Sequence, residues 1–260
     1  MGCVWMEKVF VIGDIHGSYD LLEKLLTYWN PEEEQLVFLG DYIDRGPDSL
    51  KVLKKVMELS NQYDIVTLCG NHEQIFLNWL DKPEEVSQFY FNQKVGGIAT
   101  VQSFFDESDL NITSDHFSVK ELTEKIRKNN SEIIKFIKKL RSFYLWEPYL
   151  FVHAGIDSTV ENFRETKFDD YFWIREEFFS NPHLAKEIVI FGHTPTPLLN
   201  EDQSSDIWVS PCQKKIGIDG GGAIYEKGQL HGLVLSNTTK EIIIYSASRS
   251  EDVKRTSMVL

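Results

Sequence analysis

The chain has 260 residues, 42% of them hydrophobic, with a net charge of −13 and a pI near 5.0. That is enough apolar material for one large domain, and it excludes disorder as the ruling state. So acidic a chain offers no broad positive surface for nucleic acid or an anionic membrane, although metal ions and a few arginines can still make a local site for phosphate.

The opening residues Met1-Gly2-Cys3-Val4-Trp5-Met6-Glu7 hold no apolar stretch of signal-peptide type, and Met6 stands where an acylation pattern wants Ser or Thr. Lys8–Ile12 then predicts a strand. Asp20–Trp29 predicts an amphipathic helix with Leu21, Leu22, Leu25 and Leu26 inward, ended by Asn30-Pro31. Gln35–Leu39 is the next strand, and Ser49–Leu59 the next helix, with a stripe of Leu50, Leu53, Val56 and Met57. Ile65–Cys69 and Glu73–Leu80 repeat the pair. This alternation predicts βαβ units in a sheet covered by helices.

Between about 84 and 147 no strand pattern is visible, and the stretch reads as a helical insertion over one rim of the sheet, within a single domain spanning 1–260. Ser118–Leu140 predicts one helix or two, broken at Asn129-Asn130-Ser131 with Ser131 as the second cap. Its Lys120–Arg141 portion carries eight Lys or Arg against three Glu. That is either a solvated face or a cap that draws an anionic substrate inward. Tyr149–Val152 and Ile188–Phe191 predict strands on either side of a helical aromatic segment, Asp169–Phe179. Lys215–Ile218, Gly232–Leu235 and Glu241–Tyr245 predict the strands of a second sheet packed on the first, followed by ten frayed polar residues.

Cys3, Cys69 and Cys212 are an odd, scattered set that suits a reducing compartment, with the cytoplasm as the expected location. Cys69 reads as a small buried hydrophobe. His116, His183 and His231 stand in no motif and read as surface histidines. Gly217-Ile218-Asp219-Gly220-Gly221-Gly222 lacks the Lys-Ser/Thr of a phosphate-binding loop and reads as a bend between strands.

The chemistry sits at strand ends. Gly13-Asp14-Ile15-His16-Gly17, Gly40-Asp41-Tyr42-Ile43-Asp44-Arg45-Gly46, Gly70-Asn71-His72-Glu73, His153-Ala154-Gly155 and Gly192-His193-Thr194 each follow an apolar run. Ligands of open α/β sheets gather at the carboxyl ends of strands. A lone Asp beside Gly is ordinarily a turn residue; five such ends supplying complementary oxygen and imidazole donors are not. The donor set suits Mn, Fe or Zn better than Ca or Mg alone. Asp41 can bridge two ions, and Asn71, His153 and His193 can complete the second ion's shell. His72, one residue past Asn71, points elsewhere and can protonate a leaving oxygen, with Asp44 placed to orient it. Arg45 can grip phosphate with its planar fork.

Together, Gly-Asp-Ile-His-Gly, Gly-Asp-Tyr-Ile-Asp-Arg-Gly, Gly-Asn-His-Glu and the later His-Ala-Gly resemble the motif series of the phosphoprotein phosphatase family of metallophosphoesterases. The resemblance covers roughly residues 8–195. Gly192-His193-Thr194-Pro195 and Trp173-Ile174-Arg175 are similar to the bacterial and bacteriophage lambda branch, where Arg175 would be the second phosphate-binding arginine. The resemblance implies a four-layer α/β/β/α sandwich and two metal ions, Mn²⁺ first with Fe or Zn as alternatives. One ion would take Asp14, His16 and Asp41; the other Asp41, Asn71, His153 and His193. It implies direct attack on a phosphomonoester by a bimetal-bound hydroxide, without a phosphoenzyme. The substrate would be a phosphoserine or phosphothreonine protein, or a phosphorylated small molecule. Gly46-Pro47-Asp48-Ser49-Leu50 is also similar to the diadenosine tetraphosphatases, which makes nucleoside polyphosphate hydrolysis the alternative. The symmetrical enzymes of that branch tend to lack an acid at the place of Asp44.

Overall fold

The computed structural model describes residues 6–105 and 118–260. His116, Cys3 and the acylation-like start lie outside them. β1 (Lys8–Ile12), β2 (Glu34–Phe38) and β3 (Val66–Thr67) run parallel, joined through α1 (Tyr19–Leu26) and α2 (Ser49–Gln62). After α3 (Asn71–Asp81) come α4 (Pro83–Tyr90), α5 (Gly97–Ser103), α6 (Val119–Asn129) and α7 (Ser131–Ile137). A second sheet follows: β4 (Phe143–Trp146), β5 (Tyr149–Val152), β6 (Ile188–Phe191), β7 (Trp208–Val209) and β8 (Lys215–Gly217). Two four-residue helices, α8 (Asp170–Trp173) and α9 (Glu176–Phe179), lie between β5 and β6.

Period-2 alternation along the strands builds the layers. Phe10, Ile12, Leu36 and Phe38 face α1, α2 and α3 in one core, while Val9, Val11, Val37 and Leu39 face the other sheet. From that sheet Phe151, Ile190 and Ile216 meet them, and Leu150, Val152, Val189 and Phe191 turn outward onto Phe163, Tyr171, Phe172 and Phe178. Helix, sheet, sheet and helix therefore stack as the expected α/β/β/α sandwich.

Several expectations are corrected. Of the tail strands expected in the second sheet only β8 joins it: β9 (Leu230–Ser236) pairs antiparallel with β1, and β10 (Glu241–Ala247) and β11 (Lys254–Val259) extend the first sheet, whose order is β11-β10-β9-β1-β2-β3. The last residues are therefore paired with β10 rather than frayed. β4 is a strand inside the stretch read as strandless, held by antiparallel pairing to β5. Ser131 begins α7 with Asn130 in the capping position, whereas Ser118 caps α6, its hydroxyl accepting from Glu121 N. His183 and His231 are buried: His183 meets Lys214 O at 3.1 Å, and His231 meets Ser246 Oγ at 2.9 Å and Ser205 O at 2.6 Å.

The basic helix α6 sits away from the strand ends, whereas Arg141, the last basic residue of the run, lies against the end of β3, its O accepting from Cys69 N at 2.8 Å. Arg127 pairs with Asp81 at the C-terminus of α3, a helix whose N-terminus lies at Asn71, about 15 Å away at 1.5 Å per residue. Ile126, Ile133 and Ile137 enter the core beside α2 and α3. The parts of this stretch that do touch the site are α4, through Tyr90, and α5, through Thr100, with Gly96 just before it. No helix among the described residues is long and apolar enough to cross a membrane.

Candidate active site

The parallel strands β1, β2 and β3 of one sheet and β5 and β6 of the other end side by side, and each hands its next residues to one centre. Asp14, His16, Asp41, Asn71, His153 and His193 are all buried there. The close approach depends on glycine: a Cβ on Gly70 would lie 2.0 Å from Asp41 Oδ1, and one on Gly192 1.9 Å from Asp14 Oδ1. The backbone is also forced. His16, Asp41, Asp44, Arg45 and His193 all hold left-handed φ, from 45° to 71°. Each such residue costs about 1–3 kcal/mol and persists only where its surroundings over-determine it.

Asn71 and His72 lie in the first turn of α3, one element later than the sequence placed them. Glu73, the third residue of that helix, went unassigned by the sequence, yet it ties the loops together. Its Oε2 accepts from Gly70 N and Asp41 N and its Oε1 from Tyr42 N, each at 2.9 Å. The Ser/Thr-x-x-Glu rule for helix starts would have found it had Gly70 not stood at the capping position. Glu73→Gln puts an amide NH₂ against at least one of these N–H groups. We expect a loss of about 1–3 kcal/mol of stability, read by urea unfolding; an unchanged midpoint would refute that role for Glu73.

The donors fit cations. His16 donates Nδ1–H to Ile43 O at 2.7 Å, which leaves Nε2 bare and 3.3 Å from Asp41 Oδ2. His153 likewise donates to Leu39 O at 3.1 Å and turns a bare Nε2 toward Asn71 Oδ1 at 2.9 Å and Asp41 Oδ1 at 3.4 Å. Lone pair faces lone pair in each case, an arrangement that a positive ion resolves. Asp14 Oδ1 and His193 Nε2 have no partner, although Asp14 Oδ2 accepts from His193 N at 2.9 Å. The Arg45 guanidinium already directs Nη1 at His16 Nε2, a cation among these acceptors. Burial holds the imidazoles of His16, His153 and His193 below the usual histidine value, the neutral form a metal ligand needs. Burial, then Asp219 and Asp41, push the Asp14 carboxyl well up, a crowding that a dication relieves. Asp41 belongs to two donor clusters, one with His16 and His72 and one with His153 and His193.

Proximity alone would place His72 among the ligands. Its hydrogen bonding sets it apart: Nδ1 is 2.7 Å from Asp44 Oδ2. Burial pulls this imidazole down, but Asp41 and the Asp44 hydrogen bond outweigh it and leave His72 above the usual histidine value. Asp44 is fully buried and held from several sides. Its Oδ1 accepts from Tyr90 Oη at 2.9 Å and Thr100 Oγ1 at 2.6 Å, and its N–H donates to Thr100 Oγ1 at 2.7 Å. Neither Tyr90 nor Thr100 is announced by a motif, because both come from helices that reach Asp44 only through the fold.

Arg175 does not ride on one continuous helix as expected. It lies between α8 and α9, and its Nη1 donates to His193 O and Thr194 Oγ1, both at 3.1 Å. Arg45 N donates to Gly96 O at 3.2 Å. A groove of about 710 Å³ has Arg45 in its wall with Phe91, Ile98, Gln102 and Ile224; another of about 780 Å³ has Arg175 with Trp173, Asp157 and Asp170. Cys69 is buried and Cys212 exposed; both are free thiols.

The sequence model of the family described as calcineurin-like phosphoesterase matches residues 7–223. A serine/threonine-protein phosphatase 2 of Salmonella typhimurium is 26% identical over 200 residues, covering 72% of this chain and 79% of that protein. An asymmetrical bis(5'-nucleosyl)-tetraphosphatase of Oceanobacillus iheyensis is 41% identical over 75 residues, which cover 25% of this chain and 30% of that protein, so this match spans less than a third of its length. A crystal structure described as that of a candidate diadenosine tetraphosphatase superposes with a TM-score of 0.61 at 18% identity, covering 96% of this chain and 97% of that one, a likeness of fold.

Proposed function

The chain belongs to the calcineurin-like phosphoesterase family, and from that premise we propose that it is a metal-dependent protein phosphatase that hydrolyses phosphoserine and phosphothreonine directly with water. The observation that carries this reading is the His72–Asp44 pair, 2.7 Å apart, beside a carboxylate shared by two donor clusters. Two bound ions, Mn²⁺ first and Fe or Zn as alternatives, would be held by Asp14, His16 and Asp41 and by Asp41, Asn71, His153 and His193. Such ions lower the pKa of water and neutralise charge on the phosphoryl group.

The rest falls to the chain's own side chains. Arg45 and Arg175 grip the phosphoryl oxygens with their planar forks. As water oxygen bonds to phosphorus and the ester P–O bond breaks, His72 hands its proton to the departing serine or threonine oxygen. Asp44 keeps the imidazole turned for that transfer and supports its positive charge. A groove beside each arginine suits a phosphate that sits mid-way along an extended peptide.

Hydrolysis of nucleoside polyphosphates is the second reading, favoured by the Oceanobacillus relative. Phosphate release from phosphoserine peptides, followed with malachite green, should exceed turnover of diadenosine tetraphosphate under the same Mn²⁺ loading. Dinucleotide turnover faster by orders of magnitude would replace the protein phosphatase reading with the second one.

A further inference from the structure

A sixth strand end also reaches the centre. β8 lies parallel to β6 and stops at Gly217. Ile218 N donates to Phe191 O at 2.9 Å, and a Cβ on Gly13 would lie 2.8 Å from Ile218 O, so the ends of β1, β6 and β8 abut. Asp219 follows, standing to its strand as Asp14 stands to β1. It is 2% exposed. Its Oδ1 accepts from Gly221 N at 2.9 Å, where Gly221 holds a φ of +66°, and its Oδ2 has no partner.

Asp14 Oδ1, at the abutting end of β1, is partnerless too. Two buried carboxylates at neighbouring strand ends, each with an oxygen lacking a donor, are costly unless something positive with protons to give lies between them. The Gly221 turn fixes one oxygen of Asp219 and leaves the other free, as an outer carboxylate around a hydrated ion requires. The glycine run that reads in sequence as a bend therefore has a second task.

Resting on the bimetal reading above, we propose that Asp219 is a positioning carboxylate for the ion at Asp14. Its Oδ2 accepts a hydrogen bond from water carried by that ion, and its charge offsets the excess positive charge of two ions and two arginines. Asp219 touches neither substrate nor leaving group.

Asp219→Asn tests this, since the amide oxygen can still accept from Gly221 N. Chelator-treated protein is titrated with Mn²⁺ by calorimetry, and its melting temperature is read with and without Mn²⁺. We expect one of the two Mn²⁺ dissociation constants to weaken by about 10–100-fold while the other holds. The metal-free variant should melt no lower than the parent, because a crowded buried charge has gone, and the Mn²⁺-induced rise should shrink. Asp219→Ser, which also removes the carboxylate, should show the same selective loss. Two unchanged dissociation constants would overturn the proposal, as would a lower metal-free melting temperature with metal affinity intact, the mark of a loop-holding role alone. Fewer than two Mn²⁺ on the parent protein would instead overturn the bimetal reading beneath it.

Discussion

Asp41→Asn is expected to abolish turnover and to weaken both ions together, with the fold intact. Asn tolerates the left-handed backbone that Asp41 adopts at φ 50°, and its side chain matches Asp in size beside Gly70, so the substitution is not expected to unfold the loop. What is lost is the charge at the junction of the two donor clusters, where Asp41 Oδ1 lies 3.4 Å from His153 Nε2 and Oδ2 3.3 Å from His16 Nε2. Metal-borne charge stabilisation is worth several kcal/mol, which corresponds to about a thousandfold or more in rate. Metal content after dialysis and p-nitrophenyl phosphate hydrolysis check it. Two tightly held ions in the variant would mean that Asp41 does not bridge.

His72→Asn has the opposite signature: both ions stay and kcat falls by about 10²–10⁴-fold. The loss depends on the leaving group. A phosphoserine peptide releases an alkoxide that needs a proton, whereas p-nitrophenolate leaves without one, so the peptide should lose far more rate than the aryl ester. The acid works only while protonated, so the rate it supplies is present below its pKa and fades as pH rises through it. Asp44 raises that pKa in the native site; Asp44→Asn should therefore shift the alkaline limb of kcat to lower pH. Equal losses on both substrates, or loss of an ion, would return His72 to the ligand set in which its distance from Asp41 would place it.

The convergence of the six candidate ligands was legible in the sequence because each stands near a strand end with a glycine beside it or close by, and strand ends are where two packed α/β sheets bring side chains together. What was not legible lies one layer out. Tyr90 and Thr100 fix Asp44 from helices in a stretch whose sequence says only that it lacks a strand pattern. Glu73 sits within a recognised motif, but its three backbone partners come from two loops. Asp219 looked like part of a flexible bend because its neighbours are glycines. The sheet membership of β9, β10 and β11 was hidden for a related reason: alternation predicts a strand without naming its partner, and antiparallel pairing with β1 was as compatible with the pattern as a separate sheet. β4 is a four-residue strand between a helix and a tight turn, too short for its alternation to stand out from the preceding helical pattern.

The left-handed conformation at His16, Asp41, Asp44 and His193 sets folding and function against each other. Glycine is the residue that backbone prefers, and it can supply neither ligand nor acid. Replacing one of them by glycine should therefore relieve local backbone strain while removing that position's side-chain chemistry.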